Sequence, residues 1–114
     1  MTAIAKATIA LDNHQYDGSS ILSLSKSQDI PTVTVDLAEV VIDQSDNRHA
    51  DDVRLTGAIL SSTDLRSSSV VLAKRRGHYV VLTGQDKVQA LIGKDSTVTA
   101  KLLSKHALKR AVAQ

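Results

Sequence analysis

The chain has 114 residues, no cysteine and only two aromatic residues, Tyr16 and Tyr79. This length suits one domain around one hydrophobic core. The lack of cysteine excludes disulfides, thiolate metal sites and cysteine nucleophiles, and the scarcity of aromatic rings makes base stacking nearly impossible.

The net charge of +2 hides opposite charges in the two halves of the chain. Residues 1–65 hold four Lys/Arg and ten Asp/Glu, whereas residues 66–114 hold ten Lys/Arg and two Asp/Glu. A second half with a charge of +8 is expected to attract polyanions such as nucleic acid. The alternative is that the two halves face and neutralise each other.

The sequence shows no apolar segment of the kind that targets a chain to a membrane. No apolar run approaches the roughly 20 residues of a membrane span. Together with the absence of cysteine, this predicts a soluble, cytoplasmic protein with no membrane partner.

Residues 1–32 give weak patterns and are expected to form an added strand, a hairpin or an arm before a main domain at 33–114. Alternating residues from Ala3 to Leu11 are typical of a strand, and Asp12 to Ser20 is typical of a turn. Ser23 to Ser27 alternates serine with leucine, which is the period of a strand.

The pattern becomes sharper after Pro31. Thr32 to Leu37 alternates β-branched residues and predicts a strand. A polar loop follows at Asp43 to Arg48, and apolar spacing over Ala50 to Leu60 predicts a helix. Ser61 to Ser69 is expected to be a structureless linker.

Two apolar, β-branched runs, Ser69 to Ala73 and His78 to Thr83, predict a hairpin. The tip between them, Lys74–Gly77, carries three positive charges. Gly84 then interrupts the second strand and opens a helix from Gln85 to Ile92.

That helix is expected to place Val88, Leu91 and Ile92 on one face, with Gly93 as its left-handed C-terminal cap. A further strand is predicted from Thr97 to Leu103.

A basic amphipathic helix is predicted from Ser104 to Ala113. Its apolar stripe comprises Ala107, Leu108, Ala111 and Val112, and its basic side comprises Lys105, Lys109 and Arg110.

The turn from strand to helix at Gly84 is a candidate phosphate site. The first amides of a helix are unpaired and lie at the positive end of its dipole. The candidate binding residues are Thr83, Gly84, Gln85 and Lys87. Thr83 and Asp86 also have the spacing of a capping box, so the alternative is a turn that only begins a helix.

Basic side chains at two places are candidate nucleic-acid contacts, because arginine binds phosphate through two parallel hydrogen bonds. They are Lys74, Arg75 and Arg76 at the hairpin tip and Lys105, Lys109 and Arg110 on the last helix. The alternative is that these charges only maintain solubility.

No catalytic or metal-ligating residues are predicted. The four histidines show no HxH or HxxxH spacing, and no GxSxG elbow is present. An acidic cluster could hold Mg²⁺ beside a nucleotide, although a solvated loop next to a helix N-terminus is the favoured explanation. The cluster comprises Asp43, Asp46, Asp51 and Asp52.

Residues 33–103 resemble the ParB/sulfiredoxin-like domain. The resemblance rests on the strand Val33–Leu37 with Asn47-Arg48, the short helix at 50–60, and the strand pair Val70–Ala73 and Tyr79–Gly84. It implies an α+β fold with a small mixed sheet and short helices. The catalytic cysteine of sulfiredoxin has no counterpart here.

The family's phosphate-binding signature follows the same glycine. Of that signature this chain keeps Gly84, a basic residue at Lys87, and Ala90. The resemblance therefore implies phosphate contact at this turn, with a nucleoside triphosphate and Mg²⁺ as the class of cofactor.

Three functions are compatible with these patterns. The first is a stand-alone, non-enzymatic ParB-like domain of a plasmid or phage, which binds nucleic acid or nucleotide phosphate through the basic half. The second is an interaction or regulatory protein on a degenerate ParB-like fold, with a protein partner at the last helix. The third is a Mg²⁺-dependent nuclease or nucleotide hydrolase, with Asp43, Asp46 or Asp86 as metal ligands.

Overall fold

The computed structural model describes residues 8–11, 14–41, 59–60, 63–75 and 77–112. The strands in these ranges are β1 (Thr8–Leu11), β2 (His14–Asp17), β3 (Thr32–Asp36), β4 (Val40–Val41), β5 (Ile59–Leu60), β6 (Val71–Arg75), β7 (His78–Thr83) and β8 (Thr97–Leu103). The helices are α1 (Gly18–Ser25), α2 (Thr63–Arg66), α3 (Gln85–Leu91) and α4 (Lys105–Lys109), with a 3₁₀ turn at Leu37–Glu39. The predicted α+β class is confirmed.

A five-stranded mixed sheet in the order β3-β8-β6-β7-β4 forms the centre of the molecule. β6 is antiparallel to β7 and parallel to β8, β3 is antiparallel to β8, and β4 is parallel to β7. The central strand, β6, places Val71, Leu72 and Ala73 fully out of solvent. Full burial of a valine or leucine side chain contributes about 1.5–3 kcal/mol to folding.

Alternating side chains of this sheet contribute to two hydrophobic clusters, one on each face. Val71, Ala73, Val80, Leu82 and Leu103 belong to the first cluster, which also contains apolar residues of β1, β2, α1, α2 and α4. The second cluster contains Val35, Leu72, Val81, Val88, Val98 and Ala100, so α3 covers that face.

A smaller sheet in the order β2-β1-β5 lies over the first face. β1 pairs antiparallel with β2 through Ile9 and Tyr16, and antiparallel with β5 through Ile9 and Leu60. Ile9 is fully buried and Tyr16 is 7% exposed. The described part of residues 1–32 therefore packs into the same core cluster as β6 and β7.

Several elements agree with the sequence. The strand after Pro31, the hairpin of β6 and β7, and the strand from Thr97 to Leu103 are confirmed. The glycines at both ends of α3 also agree, since Gly84 is its N-cap with φ +83° and Gly93 follows its C-cap with φ +86°.

The predictions for Asp12–Ser20 and Ser23–Ser27 are wrong within the described residues. His14–Asp17 is strand β2, and Gly18–Ser25 is helix α1. The spacing of the serines does not indicate a helix. Ile21 of α1 is fully buried in the core, and this tertiary contact decides the local structure.

The predictions for residues 50–69 also differ from the structure. Ile59–Leu60 is a strand, because pairing with β1 outweighs a weak helical pattern; residues 50–58 lie outside the described ranges. The predicted linker contains helix α2, which is held by Leu65 at 3% exposure.

Two apolar positions are exposed instead of packed. Ile92 lies beyond the end of α3 and is 57% exposed. α4 ends at Lys109 and not at Ala113, so Val112 leaves the helical stripe, is 41% exposed and forms a bridge with Tyr16.

Gly84 is essential for the packing between β7 and the chain before β6. An added Cβ would lie 2.7 Å from Val70 Cα and 2.8 Å from the Ser68 carbonyl oxygen. We expect Gly84→Ala to lower the free energy of unfolding by about 3 kcal/mol, through left-handed strain and backbone overlap. Urea unfolding measures this.

Gly93→Ala is the matched control. Its φ is also positive, but nothing lies within 4 Å of the added Cβ. It should cost about 1 kcal/mol, from strain alone. Equal losses for the two variants would contradict the close packing at Gly84.

Candidate nucleic-acid interface

The end of the β6–β7 hairpin carries the first group of basic residues. Lys74 and Arg75 are the last residues of β6, where they pair with Tyr79 and His78 of β7. They therefore belong to the strand and not to the connection, which consists of residues 76 and 77. Arg76 lies outside the described residues.

The second group of basic residues begins where β8 ends. Ser104 is the N-cap of α4, and its Oγ accepts a hydrogen bond from the Ala107 backbone N–H at 3.2 Å. The cap confirms the predicted helix start. The helix begins immediately after the end of β8, and its Ala107 and Leu108 pack in the first hydrophobic cluster.

Parallel pairing brings these two groups to one edge of the sheet, namely the side at which strands β6 and β8 both end. Leu72 pairs with Leu102 and Ala73 with Leu103. The next residues, Lys74 of β6 and Ser104 after β8, therefore lie side by side, with backbones about 5 Å apart. Segments 30 residues apart in the chain thus bring their backbones together at this edge.

The two hairpin cations point to opposite faces at this edge. Arg75 continues the row of Ala73, on the face that α4 covers, and Lys74 continues the row of Leu72. An Arg75 guanidinium nitrogen donates to the Lys74 carbonyl oxygen at 2.9 Å. We call the group formed by Lys74, Arg75, Lys105, Lys109 and Arg110 the cationic edge.

Four members of the cationic edge are exposed at the surface. Lys74, Lys105, Lys109 and Arg110 are exposed, and none of the four forms an ion pair with a described carboxylate. His106, which the sequence analysis did not include, is exposed on the same helix. Among the described residues, no acidic side chain of residues 1–65 therefore neutralises these four charges.

Arg110, at the end of α4, also borders a surface depression beside α1. The depression has a volume of about 380 Å³. It is lined by Ser19, Ser20, Ser23, Leu24, Ser27 and Arg110. Through Arg110, the cationic edge thus borders a depression that is lined by serine hydroxyls.

The glycine turn lies at the opposite edge of the sheet. β7 begins with His78 at the cationic edge and ends with Thr83 just before Gly84. Its six residues span about 20 Å. The two sites predicted from the sequence are therefore separate and do not form one surface.

Backbone of the same chain covers the Gly84 turn. The Gly84 N–H donates to the Leu65 carbonyl oxygen at 2.8 Å, and the Thr83 hydroxyl donates to the Ser69 carbonyl oxygen at 2.5 Å. Gln85 is fully buried, and its Nε2 donates to the Val81 carbonyl oxygen at 3.0 Å. Of the four candidate phosphate ligands, only Lys87 has an exposed side chain.

The predicted capping box of Thr83 and Asp86 is wrong. Gly84 is the N-cap, and no side chain caps α3. Asp86 instead accepts a hydrogen bond from the Ser67 hydroxyl at 3.1 Å and lies 3.7 Å from Arg66 Nε. Its carboxylate therefore connects α2 to α3.

The predicted acidic cluster at Asp43, Asp46, Asp51 and Asp52 lies outside the described residues. Within the ranges that the structure covers, no group of three or more histidine or acidic residues could hold a metal ion. In the same ranges, no helix is long and apolar enough to cross a membrane.

Comparisons with family models, with curated proteins and with solved structures give no match.

The Ser104 cap is expected to contribute measurably to the stability of the protein. Ser104→Ala should lower the free energy of unfolding by about 1 kcal/mol, because the Ala107 N–H loses its acceptor. Ser104→Asp keeps an acceptor and should change it by less than about 0.5 kcal/mol. Chemical denaturation that finds the alanine and aspartate variants equally stable would contradict the cap.

Proposed function

We propose that this protein binds nucleic acid through backbone phosphates at the cationic edge. The observation that carries the proposal is the parallel pairing of β6 with β8, which brings cationic residues of two distant segments to one edge. Phosphate oxygens are the natural counterpart of such a cluster.

The chemistry of the edge favours contact with the backbone over reading of bases. Its members are lysine and arginine side chains on a strand end and a short helix. Tyr79, which pairs with Lys74, packs against the second hydrophobic cluster, and Tyr16 is buried, so stacking on unpaired bases contributes little. Binding of this kind is largely independent of sequence and weakens steeply as salt is added.

The resemblance to ParB/sulfiredoxin-like domains is compatible with this function. β6, β7, Gly84 and α3 follow one another in the order on which the resemblance rests. A ParB-like domain of a plasmid or phage would act in the presence of DNA, and the cationic edge would supply its contact.

Two double variants with the same change in charge test the proposal. Lys74→Gln/Lys105→Gln removes two charges from the cationic edge. It should weaken duplex DNA binding at low salt by about tenfold or more, and should lower the slope of log K against log salt by about two. Fluorescence anisotropy of a labelled duplex at several salt concentrations measures both quantities.

Lys87→Gln/Lys94→Gln is the matched control. Both lysines are exposed, and Lys87 lies in the first turn of α3 as Lys105 does in α4. This variant should weaken binding by less than about threefold. A larger loss in this variant than in the first would indicate that phosphate binds at the Gly84 turn instead. An absence of binding by the wild type at low salt would refute the proposal.

A further inference from the structure

β3 forms one border of the five-stranded sheet, and its hydrogen bonds show which backbone groups face outward. The Leu102 N–H donates to the Pro31 carbonyl oxygen at 3.1 Å, and the Leu37 N–H donates to the Ser96 carbonyl oxygen at 2.8 Å. Since the antiparallel ladder alternates, odd-numbered residues of β3 bond to β8. The backbone groups of Thr32, Thr34 and Asp36 therefore point away from the sheet.

This outer edge is open. Thr32, Thr34 and Asp36 are exposed, and no described strand pairs with that side of β3. Natural edge strands are usually protected by lysine, proline or a bulge. Between Thr32 and Asp36 the strand contains neither lysine nor proline, and its register with β8 is continuous.

We propose that β3 pairs antiparallel with β3 of a second copy, about a two-fold axis at Thr34. The symmetric register places Thr34 opposite Thr34 and Thr32 opposite Asp36, and all these residues direct their backbone groups outward. Every outward N–H and C=O of the three residues then finds a partner, giving about six hydrogen bonds.

Side chains favour the same register. Val33 lies opposite Val35 of the second copy, which makes two β-branched cross-strand pairs. No like charges face each other. Thr32 pairs with Lys101 of β8 on one side and with Asp36 of the second copy on the other. The opposite charges of Lys101 and Asp36 therefore lie on the same face of the combined sheet.

Other symmetric registers use the edge less well. An axis at Asp36 would place two aspartates directly opposite each other. An axis at Thr32 would pair Thr34 with Ile30, whose N–H already donates to the Ser27 carbonyl oxygen at 3.2 Å. An axis at Val33 or Val35 would join only two of the three outward residues of each copy. The register at Thr34 therefore forms the most backbone hydrogen bonds.

The pairing predicts a weak dimer that depends on concentration. A five-residue edge buries less than the roughly 1,000 Å² of a stable interface. In the dimer the two cationic edges point in opposite directions, because the strands run antiparallel. The pairing itself does not depend on nucleic-acid binding.

Sedimentation velocity over a concentration series up to about 1 mM tests the proposal. The wild type should shift from monomer to dimer. Thr34→Pro removes an outward N–H without breaking a backbone hydrogen bond to β8, although the 3.0 Å hydroxyl contact with Thr99 is lost. It should remain monomeric throughout the series. Circular dichroism checks that the variant is folded.

Two lysine variants test the register without proline. Thr34→Lys places like charges opposite each other on the axis and should raise the dimer dissociation constant severalfold. Thr32→Lys places its charge opposite Asp36 of the second copy and should leave the constant unchanged or lower it. A wild type that stays monomeric at the highest concentration, or lysine variants with equal constants, would overturn the proposal.

Discussion

Parallel strands cannot be joined by a tight turn, and the chain must cross the sheet between them. Between β6 and β8 that crossing consists of β7, Gly84 and α3. The parallel pair lies at the centre of the sheet, with Val71, Leu72 and Ala73 buried on β6. The pairing makes two strands with positively charged continuations end at the same edge. Register in the core thus determines where the surface charge lies.

The opposite edge shows what the same constraint does to the glycine turn. β7 returns there, and Gly84 packs against the backbone of Ser68 and Val70 because it has no side chain. The positive φ of Gly84 serves this close approach. This turn, which resembles a phosphate loop in sequence, packs β7 and α3 closely against the segment before β6.

Local patterns predicted the second half of the fold well. Alternation over Thr97–Leu103, the glycines beside α3 and the predicted helix start at Ser104 rest on short-range signals, and each has a direct structural counterpart. Residues 14–20, 23–25, 59–60 and 63–66 were predicted wrongly, because contacts distant in sequence decide their structure. Ile21 and Leu65 reach the core only once the sheet is assembled.

The candidate site was predictable only in part. Lys74, Arg75, Lys105, Lys109 and Arg110 could be selected from charge and amphipathic pattern alone. Their assembly at one edge could not, since no local signal states that β6 and β8 are parallel neighbours. The burial of Gln85 and the covering of Gly84 also arise from tertiary packing, through α2 and residues 68–70.

The central claim is that the edge shared by β6 and β8 receives the phosphate backbone. The most direct measurement is a titration of ¹⁵N-labelled protein with a short duplex, followed by amide chemical shifts. The largest changes are predicted at residues 74–75 and 104–110, and those at residues 84–88 should be small. Changes concentrated at residues 84–88 and absent from the end of β6 would contradict the account.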